Sequence, residues 1–433
     1  VLQKVDAGQR IRAITRLEGD TLHVGNRSWD IANRHIYLLG AGKACNAMAQ
    51  AVCDVLGDKI TKGIISVKIA EEQDRYAHTD VYVGGHPLPN QEGMLAAQAM
   101  LELIDSATPN DLFISVISGG SSALLTCPVN GITLEEEMQT ADVLLKSGAK
   151  ILEINAVRRH ISRTNGGRIA QRICEKGAEL ISLMVSDGVN ILPAEDIKEP
   201  TTFYGTPVAG DDTTIQDARN TIENYALGDK LPKSVVDHIY DDAKVEETPK
   251  DFGKQLTTFV LVAIADSCNA AVEIAREMNE NILVLSTFME GESRDAGYTL
   301  SSIAREVRHF GRPVKAPCYI VCSGENTTSV QEPPKGKGGP SQELVLGFAI
   351  GASGMPGVAC ASVDTEGSDG TTFNAGGISD GDTMQRLERQ GIAIYEALRT
   401  HAAGNALEAI DDNIFTGNTG TNICDFNVMY IDK

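Results

Sequence analysis

Two short apolar runs in this chain each end in a glycine-rich polar turn: IYLLG-AGKAC at 36–45 and LFISVI-SGGSS at 112–122. Glycine lets the backbone come close to a ligand, and a helix that starts after such a turn offers unpaired N–H groups to an anion. Lys43 sets a cation beside Gly42 at the first turn. Gly119 and Gly120 bare the backbone at the second, where Ser118, Ser121 and Ser122 add hydroxyls. That is the chemistry of a phosphate or carboxylate site at the carboxyl ends of buried strands. The apolar period after the first turn predicts a helix over 43–56. A lysine in its first turn opposes the helix dipole, which argues for a use other than folding.

Other polar clusters fall where strands should end. GGHPLPN (84–90) holds His86 between glycine and proline, either solvated or ligand-facing. INAVRRHISRTNGGR (154–168) gathers Asn155, Arg158, Arg159 and His160. On a helix, Asn155, Arg158 and Arg159 share a face or nearly so, as an anion clamp or an intrachain ion-pair network. Asp187, in VSDG, follows a strand, a position suited to a metal ligand or a base. DTEGSDG (364–370) brings together Asp364, Glu366 and Asp369, which could offer oxygens to Mg²⁺ or simply build a turn. TGNTGTN (416–422) carries Thr419, Gly420, Thr421 and Asn422 with no side-chain charge, a loop suited to backbone contact with phosphate.

Composition limits the reading. At 433 residues the chain exceeds a single core, so two domains are expected. Apolar content of 42% with 22% charged residues suits a globular protein, and no run approaches a membrane span. The net charge of −21 argues against a nucleic-acid surface. An anionic ligand must therefore be drawn by a local group of Lys and Arg. The nine cysteines are an odd number with no CxxC pair, which reads as buried free thiols in a reducing cytoplasm.

The elements that would position these residues alternate strand and helix. Strands are predicted at 36–40, 64–67, 81–83, 112–117 and 180–185, then at 258–264, 282–287, 318–322, 358–363 and 427–431. Helices include 43–56, 91–104, 134–148, 266–279 and 295–308. The fold class is α/β: two α/β domains with mostly parallel sheets. The polar stretch 241–255 divides them, giving 1–245 and 256–433, with the last segment able to pack back on the first domain. The aperiodic segment 187–213 is expected to be a functional loop.

Seven motifs in order resemble one family: GAGKAxxMA, GHPxPNxxG, SGGxSALLxxP, INxVRxHxSxxxGGR, EGExR, GEN followed by GKGGxxQEL, and TGxTGTN. The chain looks like a divergent member of the glycerate 2-kinase family, whose C-terminal part is the MOFRL domain; some members have carried the name hydroxypyruvate reductase. The resemblance implies ATP-dependent phosphorylation of the 2-hydroxyl of D-glycerate or a related small hydroxy acid. It also implies a Rossmann-like first domain and an active site in an interdomain cleft.

By match, Lys43 and Asp187 are the catalytic residues it implies. Substrate is expected at His86, Ser122, Asn155, Arg158 and Asp369. The nucleotide is expected at Gly42, Gly119, Gly120, Ser121, Gly338, Gly339 and Thr419–Asn422, with Mg²⁺ at Asp187 and Asp369. A small anionic acid is the expected partner, with no nucleic acid or membrane; a homodimer is left open.

Departures fall on the same loops. Pro340 stands where the family has an arginine, Glu366 where it has aspartate, and Asn165 where it has lysine. Arg159, Lys198, Arg294 or Lys337 are the cations that could replace the arginine. An NAD(P)H-dependent hydroxypyruvate reductase and a weakened, small-acid-binding relative are the rival readings.

Overall fold

The computed structural model describes residues 1–71, 75–86, 88–188, 206–330 and 334–433. Lys198 and most of the expected functional loop lie outside the described residues. Fifteen strands are described: β1 (Thr15–Glu18), β2 (Thr21–Val24), β3 (Arg27–Asp30), β4 (Ile36–Ala41), β5 (Ile60–Val67), β6 (Thr79–Val83), β7 (Leu112–Ile117), β8 (Glu179–Ser186), β9 (Leu256–Ala263), β10 (Ile282–Glu292), β11 (Cys318–Thr327), β12 (Val358–Asp364), β13 (Gly376–Asp380), β14 (Asn413–Ile414) and β15 (Asp425–Ile431). Among the described residues the chain forms two compact units: 7–185 with 206–261, and 1–6 with 186–188 and 262–433. The change of unit falls inside β9, not in the polar stretch 241–255.

The larger unit is built on a sheet ordered β6-β5-β4-β7-β8-β9. β6, β5, β4, β7 and β8 are parallel. Every residue of β4 and of β7 is buried, as expected for strands covered on both faces. β4, the first strand of this sheet, lies at its centre; the chain then builds outward on one side and later on the other. Ala41 pairs with Ile117, so the two strands end level. Beside this sheet, helices Leu134–Lys146, Ile151–His160, Ile215–Asn224 and Lys233–Tyr240 enclose a second core that includes Val157, Ile222, Val235 and Ile239. A small antiparallel sheet, β1-β2-β3, completes the unit.

The smaller unit departs from expectation. Its sheet is ordered β10-β11-β15-β12-β13-β14, and only the β10–β11 pair is parallel. The last strand, β15, enters between β11 and β12 antiparallel to both. The C-terminal segment thus stays in its own unit's sheet and does not return to the first. Helices Ser293–Phe310 and Pro340–Ala352 cover the sheet over a core that includes Leu300, Leu344, Phe348 and Met429. A Cβ on Gly297 would meet the Leu344 carbonyl at 1.9 Å, so bare glycine is what lets the two helices touch.

None of the nine cysteines is in a disulfide, and seven are buried. Burial pushes the Cys322 thiol up to about 12, which leaves it unreactive at neutral pH. Among the described residues no helix is long and apolar enough to cross a membrane.

Two polar locks hold the helical layer. Arg159 donates to the Asp211 carboxylate at 2.7 Å, both side chains buried. His160 is fully buried, with Nε2 at 2.8 Å from Glu247 and Nδ1 at 2.7 Å from the Ala156 carbonyl. Partial burial raises the Glu247 carboxyl, but the contact with His160 and the N–H groups of Ile215 and Thr248 outweigh it and bring it down to about 2. A carboxyl depressed in the folded state adds stability above its unfolded value and loses it as pH falls. Glu247→Gln is therefore expected to unfold more readily than wild type at pH 7. The gap should narrow as pH falls from 4.5 towards about 2, measured by urea unfolding across that range.

Candidate active site

At the ends of β4 and β7 the two glycine-rich turns are tied together. Ser118 N–H donates to the Ala41 carbonyl at 3.1 Å, and Lys43 N–H donates to the Gly119 carbonyl at 2.9 Å. Ala44 N–H donates to Ser118 Oγ at 3.0 Å. The following helix runs Cys45–Leu56, so Lys43 precedes the helix rather than standing in its first turn. Gly42 has φ 133°, and a Cβ there would strike Ser118 Oγ at 2.2 Å; no other residue fits. Gly120 has φ 83°. A Cβ on it would lie 3.0 Å from His86 and 3.2 Å from the Lys43 side chain, which places both beside that turn. Gly42, Lys43, His86, Gly119, Gly120 and Ser121 thus form one group, with Lys43 and His86 half-buried.

Ser122 extends this group differently. Its carbonyl accepts from Asn165 Nδ2 at 3.3 Å, while Asn165 Oδ1 is buried with no hydrogen-bond partner among the described residues. Asn155 and Arg158 are half-buried on helix Ile151–His160. No hydrogen bond or ion pair joins the Arg158 side chain to another described residue. Arg159 is different: it is held in the buried pair with Asp211. Desolvation lowers the Arg158 guanidinium, with Arg159 adding to that and the Glu137 charge opposing it. Burial in turn raises Glu137, against a hydrogen bond from Thr126 and the Arg158 charge. Glu137 is the polar neighbour that sequence reading missed. It stands in the run LEEEM, indistinguishable there from a solvated acidic face.

In the smaller unit three loops meet. Gly339 lies against Asp369, whose Oδ1 would be 2.3 Å from a Cβ at that position. Asp369 accepts from Ser341 N–H at 3.2 Å and Gln342 N–H at 2.8 Å, at the head of helix Pro340–Ala352. It is 1% exposed. Asp369, expected at the substrate, is thus buried as a lock on a helix N-terminus. Gly338 N–H is likewise engaged, by Thr371 Oγ1. Asp364 Oδ1 accepts from Glu366 N–H, and Glu366 Oε1 from the Ser368 hydroxyl. These acids hold their own turn together.

The 416–422 loop is also self-bonded. Gly420 N–H meets Asn418 Oδ1, Thr421 N–H meets Thr419 Oγ1, and Thr419 N–H meets the Glu366 carbonyl. Three of its N–H groups are thus engaged, while Thr421 Oγ1 is buried with no hydrogen-bond partner among the described residues. Asn422 Nδ2 donates to Asp187 Oδ2 at 3.3 Å, and the Cys424 thiol donates to the Asp187 carbonyl at 3.2 Å.

Among the described residues no three His, Cys, Asp or Glu side chains are grouped to hold a metal ion. A Mg²⁺ carried on nucleotide phosphates needs only one or two carboxylates. The half-buried Asp187 fits that need. Asp369 does not, because both its oxygens already take backbone N–H groups.

Comparisons with known proteins follow the same division. Residues 1–240 match the model described as a domain of unknown function, DUF4147, and residues 318–425 match the MOFRL family. The chain is 35% identical over 428 residues to a glycerate 2-kinase of Pyrococcus horikoshii, covering 97% of this chain and 93% of that one. The chain belongs to the DUF4147/MOFRL glycerate kinase family. A D-glycerate 2-kinase of Thermotoga maritima is 34% identical over 396 residues, covering 92% of this chain and 90% of that one. The crystal structure of a glycerate kinase from the same organism superposes with a TM-score of 0.79 at 31% identity, over 99% of this chain and 96% of that one. An Agrobacterium vitis member of the family, 33% identical over 401 residues (91% of this chain and 98% of that one), is named provisionally as a hydroxypyruvate reductase.

Pro340, the family departure, is the first residue of helix Pro340–Ala352. Proline suits that position, since its missing N–H would be unbonded there in any case. Ser341 is the more constrained neighbour: it is fully buried and donates to the buried Asp425 carboxyl at 3.2 Å. Pro340→Arg is expected to leave stability within about 0.5 kcal/mol. Ser341→Ala should cost about 1–3 kcal/mol, because it leaves a buried acceptor unsatisfied. Urea unfolding of the two variants checks both.

Proposed function

We infer that the chain is an ATP-dependent glycerate 2-kinase, transferring the γ-phosphoryl group of ATP to the 2-hydroxyl of D-glycerate and releasing ADP. The observation that carries this is near-full-length identity of 35% to a glycerate 2-kinase. The larger sheet supports a Rossmann-like reading, because its strand order reverses between β4 and β7, where doubly wound folds bind their ligands.

A kinase mainly positions its reactants and neutralises charge as the phosphoryl group moves. Lys43 is the residue proposed to stabilise that group, over the bare backbone of Gly42, Gly119 and Gly120. Arg158 is proposed to hold the glycerate carboxylate in a salt-bridged contact, with Asn155, Ser122 and His86 fixing its hydroxyls. Asp187 is proposed to accept the proton of the 2-hydroxyl as its oxygen bonds to phosphorus, while the bond from phosphorus to the ADP oxygen breaks. Mg²⁺, when bound, neutralises the nucleotide phosphates, and Asp187 is the residue that would hold it.

The reductase reading draws less support. In a dinucleotide fold a third glycine lets the helix approach the strand, and an acid near the end of the second strand binds the ribose. Here the third position is Cys45, whose Sγ would lie 2.7 Å from a Cβ on Gly40, so the strand supplies the bare position. β5 ends at Val67 and is followed by Lys68, not by an acid.

Lys43→Ala is expected to lower kcat by about a hundredfold or more. Stability should stay within about 0.5 kcal/mol. ADP release with D-glycerate, beside a thermal melt, checks both. Wild-type oxidation of NAD(P)H with hydroxypyruvate, without ADP release from ATP and glycerate, would replace this reading by the reductase.

A further inference from the structure

Two phenylalanines in the smaller unit are placed against the usual rule for such side chains. Phe373 is 87% exposed and Phe415 is 70% exposed. An aromatic ring can bury about 150–250 Å², and exposed apolar side chains carry meaning where they stand on neighbouring segments rather than singly. A third, Phe310, is 68% exposed, but the Arg312 guanidinium lies over its ring at 5.2 Å. Neither Phe373 nor Phe415 has a ring or cation partner among the described residues.

Their settings are rigid and adjacent. Ala375 N–H donates to the Ile414 carbonyl at 2.8 Å, and Gly376 pairs with Ile414. That pairing brings the segment after Phe373 alongside the segment before Phe415. The buried Gln342 side chain donates to both Thr372 Oγ1 and Asn413 Oδ1, at 3.4 and 3.1 Å. Phe373 follows the first of these residues and Phe415 lies two beyond the second. Asp369 N–H donates to the Asn374 carbonyl at 2.7 Å, which pins the other flank of Phe373. Phe415 leads directly into the 416–422 loop. A Cβ on Gly367 would lie 1.9 Å from the Gly417 carbonyl, so that loop and the 364–370 loop are in contact. Two bare aromatic rings thus stand on the loops that carry Thr419–Asn422 and Asp369.

We propose that Phe373 and Phe415 form the subsite for the purine base of the nucleotide, which stacks on one or both rings at the rim of these loops. Stacking suits this surface, because an aromatic face takes a base through dispersion and desolvation without needing charge, in a chain whose net charge is −21. The proposal rests on the reading of the chain as a kinase that uses ATP.

The test compares MgATP with inorganic tripolyphosphate, which has the phosphates and lacks the base. Binding of each is measured by calorimetry to wild type, Phe373→Ala and Phe415→Ala. At least one alanine variant is expected to weaken MgATP about tenfold, within the range for loss of one stacked base, and to leave tripolyphosphate unchanged. In Phe415→Trp, adenosine should quench the new tryptophan and tripolyphosphate should not. Unchanged MgATP binding in both alanine variants overturns the proposal, as does equal weakening of both ligands. A wild-type dimer that dissociates on Phe→Ala while MgATP binding holds assigns the rings to a second copy of the chain and also overturns it. Failure of wild type to bind MgATP at all overturns the kinase reading and this one with it.

Discussion

The larger unit depends on one short piece of backbone bonding, the exchange between the turns after β4 and β7. Neither turn could hold its shape alone. Gly42 sits at a φ open only to glycine, and its neighbours are held by Ser118 N–H, the Gly119 carbonyl and Ser118 Oγ. That exchange is possible because the two parallel strands end level, and they end level because both are buried along their whole length in the same sheet. Burial of LLGA and ISVI thereby decides where Lys43 stands.

The smaller unit solves a different problem, that of carboxyl groups taken out of water. Burial drives both Asp369 and Asp425 well above the usual carboxylate range, and nearby Asp364 adds to the effect on each. A buried charge without partners costs far more than a buried hydrogen bond returns. Each oxygen of these two groups accordingly has a donor: Ser341 and Gln342 N–H for Asp369, Ser341 Oγ and Asn326 N–H for Asp425. Ser341 serves both carboxyls and fixes their separation. Asp369, one of the three acids grouped in the 364–370 loop, and Asp425 thus both fasten the start of helix Pro340–Ala352.

How much was legible follows from the range of the interactions involved. β4, β7 and β8 were visible because burial on both faces writes a continuous apolar run. The turns after β4 and β7 were visible because glycine is needed there locally. The antiparallel character of the second sheet was not visible. VACASVD of β12 and FNVMY of β15 read in sequence as apolar runs like those of parallel strands, although buried and half-buried residues alternate along most of β12; their direction is decided by pairing between segments sixty residues or more apart in sequence. The small sheet β1-β2-β3 did leave a signal, the two-residue turns Gly19-Asp20 and Gly25-Asn26, each with glycine at positive φ. For Asp369 sequence shows that a carboxylate is present and not which N–H groups reach it, here those of Ser341 and Gln342.

On the function proposed above, Arg158 is where a strongly acidic chain would still favour an anion. Desolvation lowers its guanidinium, yet an arginine stays protonated at neutral pH with unit charge. Glu137 lies close enough to be felt, but no hydrogen bond or ion pair joins the two among the described residues. The free protein thus carries a partly dehydrated cation with incomplete compensation, a state that is costly in the absence of a partner. A carboxylate arriving there does not need to displace an existing salt bridge, as it would at Arg159. It supplies the missing partner, so part of the cost of desolvating Arg158 has already been met by folding. The favourable term is local, and the overall charge of the chain acts only on the approach.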